Sequence, residues 1–194
     1  AILLTMFRVV FICTGNRARS VTAEAAFSRL ITGLPIEVGS AGCLDLGGKP
    51  PLPEAAMAAN RLGLDLADHR SRYLAEADLG NADLVIGFEA NHVAAAVVDG
   101  GADAARTFTI REFLRLLNGA QLAPMDDLVE QARARVRAAQ AMREIGPAFV
   151  PGEDLSDPLG RDPAYFDEVA QKVQGLVGLL FENLFGAEVR GGVQ

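Results

Sequence analysis

The sequence predicts an α/β fold in which one domain holds a four-stranded parallel sheet with helices on both faces. The chain has 194 residues, which suits one domain better than two. Short apolar runs alternate with segments of helical periodicity, and no repeat or long polar linker divides the chain. This alternation favours parallel strands joined by right-handed crossovers, with an active site beyond the carboxyl ends of the strands.

Four strands are predicted, each followed by a helix. The first strand is Phe7–Ile12, a continuous apolar run of the kind found in strands buried on both faces. The later apolar runs place strands at Ile36–Val38, Asp83–Gly87 and Thr107–Phe108. The segments that follow the four strands predict helices at Ala23–Leu30, Glu54–Leu62, Asn91–Val98 and Arg111–Leu117.

The last helix has the clearest pattern. Asp162 is a good N-cap, Pro163 suits the first helical position and Gly186 ends the helix. Between them, apolar residues at helical spacing predict a face packed on the core: Phe166, Val169, Val173, Leu176, Val177, Leu180, Phe181 and Leu184. A further helical stretch at Asp126–Arg143 lies in a predicted insertion, residues 119–154.

Composition narrows the classes of function. The net charge of −7 argues against a nucleic-acid-binding surface. Two cysteines cannot form a disulfide framework, so a reducing, cytoplasmic setting is expected. The first apolar run is too short to cross a bilayer and lacks the features of a signal peptide, so no membrane partner is predicted. Residues 1–6 are an extension of open status, with Met6 a candidate natural start.

The segment between the first strand and the first helix carries the predicted chemistry. A loop that leaves a buried strand and opens a helix directs backbone N–H groups and the positive end of the helix dipole at one anion. Gly15 and Asn16 tolerate the left-handed backbone that such a loop needs. We therefore expect a phosphate-binding loop made of Cys13, Thr14, Gly15, Asn16, Arg17, Ala18, Arg19 and Ser20.

Three residues of this loop predict nucleophilic catalysis. The loop amides, the dipole and Arg19 all favour a thiolate at Cys13. Arg19 offers a planar fork suited to two phosphate oxygens, and Ser20 can donate a hydrogen bond to the sulfur. The alternative, that Cys13 is a small buried hydrophobe at a strand end, is disfavoured because Arg19 and Ser20 accompany it.

With these residues noted, the sequence resembles the low-molecular-weight protein-tyrosine-phosphatase family. The run CTGNRARS followed by AEAAF is similar to the family's phosphate-binding loop and first helix. The resemblance continues in SAG (40–42), GLDLADHRSR (63–72), DLVIGFEANH (83–92) and DPLGRDPAYF (157–166), and misses only residues 119–154. It implies the flavodoxin-like architecture of this family and a phosphomonoester hydrolase, in the first place a protein-tyrosine phosphatase with a cysteinyl-phosphate intermediate.

The resemblance also implies an acid catalyst, an aspartate that precedes a proline late in the chain. Asp157 matches it, and its carboxyl group would protonate the leaving oxygen and then deprotonate the attacking water. Asp154 and Asp162 compete locally, but Asp154 precedes no proline and Asp162 is predicted to cap a helix. His69 aligns with a histidine that helps to hold the loop asparagine in relatives; a simple surface or helix-start histidine is the alternative.

Several residues depart from the family pattern. Ala18 stands where many members have a second loop cysteine, and Cys43 is expected to be a structural thiol, so a redox-active loop pair is not expected. Arg17 replaces a residue that is apolar or threonine in relatives; it either captures anions or points to solvent. Leu46 is the nearest match to an aromatic wall of the substrate cleft, and Phe88 is a second candidate for that cleft.

The expected substrate is a phosphorylated protein or a small phosphomonoester, and other functions stay open. Arsenate reduction with an external thiol is one, although no cysteine follows Cys43 to form an internal relay. A protein arginine phosphatase and a non-catalytic phosphoprotein-binding module are the others. No cofactor or metal is expected, because the two histidines, His69 and His92, lie in no cluster with metal-ligand spacing. The oligomeric state is not predicted.

Overall fold

The structure is a computed structural model that describes residues 6–120, 122–145 and 150–192. Its strands are β1 (Phe7–Cys13), β2 (Ile36–Gly42), β3 (Leu84–Gly87) and β4 (Thr107–Thr109). Its helices are α1 (Arg19–Leu30), α2 (Pro53–Arg61), α3 (Ala90–Val98), α4 (Ile110–Asn118), α5 (Leu128–Ile145) and α6 (Pro163–Phe185). Residues 1–5 of the predicted extension, and residues 121 and 146–149 of the predicted insertion, lie outside the described residues.

Within the described chain, the four strands form one parallel sheet in the order β2-β1-β3-β4. The prediction of an α/β fold with a four-stranded parallel sheet is therefore confirmed. At its end, β1 pairs Cys13 with Gly42 of β2 and Ile12 with Gly87 of β3. This register brings the loops that follow β1, β2 and β3 to one edge of the sheet, where the functional site is built.

Successive side chains of β1 point to opposite faces of the sheet. Phe7, Val9, Phe11 and Cys13 face the larger core, which is built with α1, α4, α5 and α6. Val10 and Ile12 face a smaller apolar cluster, which includes Ala96 of α3. Because both faces are covered by apolar contacts, residues 9–12 of β1 form a continuous apolar run in the sequence.

Helix α5 belongs to the larger core. Its buried apolar residues are Val129, Ala132, Val136 and Ala139, spaced at three and four positions along one face. Helix α5 packs with α4 and α6 and also contacts β1. The predicted insertion therefore carries a helix that covers the sheet.

Two element boundaries differ clearly from the predicted ones. Helix α1 begins at Arg19, four residues before the predicted start, so that Arg19 and Ser20 lie in its first turn. Strand β2 extends to Gly42 instead of Val38. The residues from Gly39 to Gly42 are small and have little strand propensity of their own, but β1 continues beside them and supplies the hydrogen-bonding partner.

Candidate active site

The loop between β1 and α1 forms an open cradle lined by backbone N–H groups. Asn16 has a φ of 52°, in the left-handed region that asparagine tolerates. Among the described residues, no protein acceptor pairs with the backbone N–H groups from Thr14 to Ala18. Ala18 precedes the first turn of α1, and no side chain caps that turn. The loop thus presents unpaired N–H groups beside the positive end of a 12-residue helix.

Cys13 lies at the base of this cradle. Its side chain is buried, and its Sγ is 3.0 Å from Ser20 Oγ. Ser20 Oγ also accepts a hydrogen bond from Asn16 Nδ2 at 2.9 Å. Since the Asn16 amide can only donate there, the Ser20 hydroxyl proton is free to point at the sulfur.

Asn16 holds the loop to β2 and to the segment between α2 and β3. Its Nδ2 also donates to Ser40 Oγ at 2.7 Å, and its Oδ1 accepts from the backbone N–H of Arg72 at 2.9 Å. Ser40 in turn donates to the Glu24 carboxylate. The Asn16 side chain is completely buried, so its donors and acceptor are used within the protein.

His69 contacts the same asparagine. Its Nε2 lies 2.8 Å from the Asn16 carbonyl oxygen, which can only accept, so the ring nitrogen donates. The structure thus places His69 against the backbone of Asn16 and not against its side-chain amide.

Gly42 allows the close approach of β2 to the loop. A Cβ atom added there would lie 2.9 Å from the Asn16 nitrogen and 2.9 Å from the Gly15 carbonyl carbon. Both atoms belong to the backbone of the phosphate loop and cannot turn away as a flexible side chain would. Any side chain at this position would push the loop.

Arg19 is buried and surrounded by acceptors. Its side chain is 1% exposed. One terminal nitrogen pairs with the Glu89 carboxylate and also donates to the Leu155 carbonyl at 2.6 Å. The other donates to Asp157 Oδ2 at 2.6 Å and to Thr14 Oγ1 at 3.2 Å. Two carboxylates compensate this buried cation and set the plane of its guanidinium group.

The three candidate aspartates have separate places. Asp157 lies at the cleft, where Oδ2 accepts from Arg19 and Oδ1 accepts from the Leu159 N–H at 3.0 Å. Asp154 accepts from the Ala90 N–H at the start of α3. Asp162 caps α6 by accepting from the Tyr165 N–H. Of the three, Asp157 is the one that contacts Arg19.

A buried histidine lies behind the loop. His92 Nδ1 accepts from the backbone N–H groups of Phe88 (3.3 Å) and Glu89 (3.1 Å), and Nε2 lies 3.1 Å from Thr14 Oγ1. Burial is the main cause that lowers the pKa of His92 to about 3, and the charge of Arg19 lowers it further. His92 is therefore neutral at physiological pH.

The cleft above Cys13 is small and has aliphatic walls. Its volume is about 220 Å³, and its lining includes the side chains of Leu44, Leu46, Leu52 and Leu159. Arg17 lines it too, and its Nε donates to the Pro50 carbonyl at 2.6 Å. The guanidinium group is thus anchored at the edge of the cleft.

The prediction that Phe88 contributes to the cleft is wrong. Phe88 is 0% exposed and packs in the larger core, where its ring stacks on Phe11 with centroids 6.3 Å apart. It directly follows β3, and its side chain turns toward the core face of the sheet. The aromatic ring is therefore not available to a substrate.

The side chains of the two cysteines point to opposite faces of the sheet. Cys43 packs against the smaller apolar cluster, whereas Cys13 belongs to the larger core on the opposite face. Burial, together with the nearby Cys13, raises the pKa of the Cys43 thiol to about 11. At neutral pH Cys43 is thus a protonated, weakly nucleophilic thiol.

The described part of the chain lacks both a metal-binding cluster and a membrane-spanning helix. It contains no group of three or more His, Cys, Asp or Glu side chains that could hold a metal ion. None of the helices within residues 6–120, 122–145 and 150–192 has the length and apolar character needed to span a membrane.

Comparison with known sequences decides the family. The sequence model of a family described as low molecular weight phosphotyrosine protein phosphatase matches residues 8–144, well over half of the chain. The chain belongs to this family. The resemblance noted in the loop and the later segments is thereby confirmed.

Relatives of this low-molecular-weight phosphatase carry two different names. A low molecular weight protein-tyrosine-phosphatase of Streptomyces coelicolor is 32% identical over 194 aligned positions, covering 93% of this chain and 97% of the relative. A protein-arginine-phosphatase of Bacillus subtilis is 31% identical over 130 positions, covering 64% of this chain and 86% of the relative. The crystal structure of a low molecular weight protein tyrosine phosphatase from T. tengcongensis has a TM-score of 0.66 and 30% identity, covering 92% of this chain and 99% of that one.

Sequence reasoning missed two side chains that hold the loop of this low-molecular-weight phosphatase. Glu89 pairs with Arg19, which lies 70 residues before it in the sequence. His92 contacts Thr14, which lies 78 residues before it. Both lie in the segment DLVIGFEANH, just beyond the carboxyl end of β3. Their position could have identified them, because polar residues just beyond the carboxyl end of a parallel strand are candidates for the functional site.

Proposed function

We propose that this chain is a cysteine-dependent phosphomonoesterase that dephosphorylates proteins, with phosphotyrosine as its principal substrate. Membership of the phosphatase family supports the reaction class, and the relative from S. coelicolor supports tyrosine. The observation that carries the proposal is the meeting of Cys13, Arg19 and Asp157 in one cleft, although Asp157 lies 144 residues from Cys13 in the sequence.

In the first step, the Cys13 thiolate attacks phosphorus in line. An S–P bond forms while the bond between phosphorus and the leaving oxygen breaks, and Asp157 donates its proton to that oxygen. The loop N–H groups and the Arg19 fork hold the three equatorial oxygens as their charge rises. The loop N–H groups are unpaired already, so the loop itself needs no rearrangement, whereas Arg19 must release its contact with Asp157 to offer that N–H to a phosphoryl oxygen.

In the second step, water attacks the phosphorus of the cysteinyl-phosphate. Asp157 accepts the proton of the water, the new P–O bond forms, and the S–P bond breaks to return the Cys13 thiolate. The Ser20 hydroxyl donates to the sulfur as it leaves, which its 3.0 Å contact supports. Phosphate is the product, and the chemistry needs no cofactor.

The walls of the cleft support a substrate held by apolar contact more than by ring stacking. Leu44 and Leu159 are 50% and 66% exposed, and Leu46 lies with them beside the phosphate loop. A phenyl ring gains burial against these side chains but no aromatic partner. We expect phosphotyrosine to bind with a KM set by this aliphatic surface.

The first test is replacement of the nucleophile. Cys13→Ser should reduce hydrolysis of p-nitrophenyl phosphate to the background level, since a serine hydroxyl in this site has no base to activate it. Binding of inorganic phosphate, measured by calorimetry, should persist because the loop and Arg19 remain. Turnover at the wild-type rate in this variant would rule out the proposal.

The second test concerns Asp157. Asp157→Asn should lower kcat by about 10²- to 10⁴-fold on phenyl phosphate, whose leaving group needs a proton. The loss should be smaller on p-nitrophenyl phosphate, since its leaving oxygen is a weaker base. Asp154→Asn is the matched control and should retain activity; equal losses in both variants would contradict the assignment.

A second candidate function is protein arginine phosphatase, which the B. subtilis relative favours. A side-by-side assay of phosphotyrosine, phosphoserine and phosphoarginine peptides, with arsenate as a fourth substrate, separates these functions. We expect the highest kcat/KM on phosphotyrosine. A higher kcat/KM on phosphoarginine would replace the tyrosine assignment without changing the nucleophile.

We place the reaction in the cytoplasm, because a reducing compartment keeps the Cys13 thiol available.

A further inference from the structure

Thr14 and His92 form a hydrogen bond directly behind the phosphate loop. Thr14 lines the cleft next to Cys13, whereas His92 lies in the first turn of α3 and is 1% exposed. We propose that His92 is a positioning residue that orients the Thr14 hydroxyl, so that Thr14 donates a hydrogen bond to the phosphoryl group of the substrate. The inference rests on the proposed phosphatase function.

The tautomer of His92 follows from its contacts. Nδ1 lies 3.1 Å from the Glu89 nitrogen and 3.3 Å from the Phe88 nitrogen, and both are backbone donors. Nδ1 must therefore carry a lone pair and accept. A neutral imidazole then has its proton on Nε2, and this N–H donates to Thr14 Oγ1 at 3.1 Å.

The neutral form of the ring is maintained by its surroundings. Burial lowers the pKa of His92, and the Arg19 guanidinium on the same loop adds to this effect. Asp157 acts in the opposite direction but is the smallest of the three causes. The direction of the hydrogen bond from His92 to Thr14 is thus constant over the whole pH range in which a phosphatase is assayed.

The hydroxyl of Thr14 then has one orientation left for its proton. Its oxygen accepts from His92 Nε2 and from Arg19, whose terminal nitrogen is 3.2 Å away. These two donors occupy both lone pairs, so the O–H must point to a third direction. Thr14 borders the same cleft as Cys13 and Asp157, and the phosphoryl oxygens supply acceptors there.

Glu89 makes this arrangement rigid. Its carboxylate accepts from the backbone N–H of His92, while the His92 ring accepts from the backbone N–H of Glu89, a reciprocal cap at the start of α3. Glu89 also pairs with Arg19. One helix start therefore orients both Arg19 and the threonine hydroxyl that contacts it.

Two replacements of His92 separate positioning from capping. In His92→Gln the amide nitrogen reaches the place of Nε2 and can donate to Thr14, but the backbone cap is lost. In His92→Asn the amide oxygen takes the place of Nδ1 and can keep the cap, but nothing reaches Thr14. We expect His92→Gln to retain more kcat on p-nitrophenyl phosphate than His92→Asn, by about tenfold.

The stability of both variants is the second readout. Asn should retain more of the wild-type melting temperature than Gln, because it keeps the cap, so activity and stability should rank in opposite order. If His92 only caps α3, activity follows stability and His92→Asn is the more active variant. That outcome overturns the inference.

Thr14 provides the companion test. Thr14→Ser keeps the hydroxyl and should keep kcat within about threefold, whereas Thr14→Val removes it and should lower kcat by about tenfold or more. In the Thr14→Val background, His92→Gln and His92→Asn should have equal kcat values. A persistent tenfold difference there would contradict a route through Thr14.

Hydrolysis tests the proposed function, and the affinity for inorganic phosphate tests the positioning role of His92 separately. If the wild-type protein hydrolyses no phosphomonoester, the proposed function fails. The affinity for inorganic phosphate, measured by calorimetry, then tests the inference by itself. Thr14→Val and His92→Asn should each weaken phosphate binding by about tenfold, and unchanged affinity in both would refute the positioning role.

Discussion

At the scale of single residues, the site is a set of hydrogen bonds with defined direction. Asn16 donates to Ser20, and Ser20 is left to donate to Cys13. The direction follows because an amide N–H and a carbonyl oxygen have one role each, while a hydroxyl adapts to both. Buried polar atoms with complete partners hold one geometry, which is what an in-line attack on phosphorus requires.

The two cysteines should differ sharply in alkylation. Burial raises the pKa of Cys43 to about 11, so at pH 7 only a minute fraction is thiolate. Iodoacetate at neutral pH should label Cys13 and leave Cys43 unmodified, as measured by peptide mass spectrometry. Inorganic phosphate should protect Cys13, and Cys13→Ser serves as the control. Preferential labelling of Cys43 would show that its thiol is not protected by burial.

At the scale of elements, the end of β2 and the phosphate loop form one unit. Gly42 pairs with Cys13 in the sheet and lies against the backbone of Asn16. Strand β2 and the loop can approach this closely because Gly42 has no Cβ atom. The position of the loop therefore depends on a residue in the neighbouring strand.

Gly42→Ala should displace the loop and lower kcat/KM by about 100-fold. The new Cβ would lie 2.9 Å from two backbone atoms of the loop, so the loop itself must move. Steady-state kinetics on p-nitrophenyl phosphate provides the measurement.

Gly175→Ala on α6 is the matched control for that substitution. Beyond the adjacent residues and backbone of α6 itself, no atom lies within 4 Å of a Cβ added at Gly175. It should retain activity and raise the free energy of unfolding by about 0.5–1 kcal/mol, because alanine is the better helix former. Unchanged activity in Gly42→Ala would show that the loop tolerates the shift.

Helix α5 contributes to stability through its buried face. Val136 is 3% exposed and lies in the larger core, so Val136→Ala should lower the free energy of unfolding by about 2 kcal/mol. Val98→Ala is the control, since Val98 is 79% exposed, and its effect should stay within about 0.5 kcal/mol. Urea denaturation measures both, and equal effects would show that α5 does not pack as described.

At the scale of the whole molecule, the buried side chain of His92 makes the stability of the fold depend on pH. The folded pKa of His92 is lowered to about 3 from its ordinary value of 6.5. As the pH falls below 6.5, the unfolded chain takes up the proton first, so the folded state loses relative stability. The contribution of His92 is complete above pH 6.5 and is lost as the pH falls toward 3.

This linkage predicts how acid affects folding. Lowering the pH from 7 to 5 should remove about 2 kcal/mol from the free energy of unfolding through His92 alone. The His92→Gln variant lacks this group and should lose about 2 kcal/mol less over the same interval. Urea titrations of both proteins at pH 7 and pH 5 provide the comparison. Identical losses would show that the pKa of His92 is not lowered by folding.

The amino-acid sequence determined those features of the molecule that depend on near neighbours. The apolar run of β1, the loop from Cys13 to Ser20 and the cap and stripe of α6 are patterns within a few turns or residues. Local backbone preferences and periodic burial were sufficient to predict them. The candidate nucleophile was found in the same way, since the strand, the loop and the helix start are contiguous.

The tertiary structure alone decided what depends on the pairing of distant segments. It extended β2 to Gly42, turned Phe88 into the core and brought Glu89 and His92 to the loop. The register of parallel strands determines which side chains meet at their carboxyl ends, and the local sequence does not encode that register. The direction of a side chain such as Phe88 depends likewise on the space left by Phe11, 77 residues earlier.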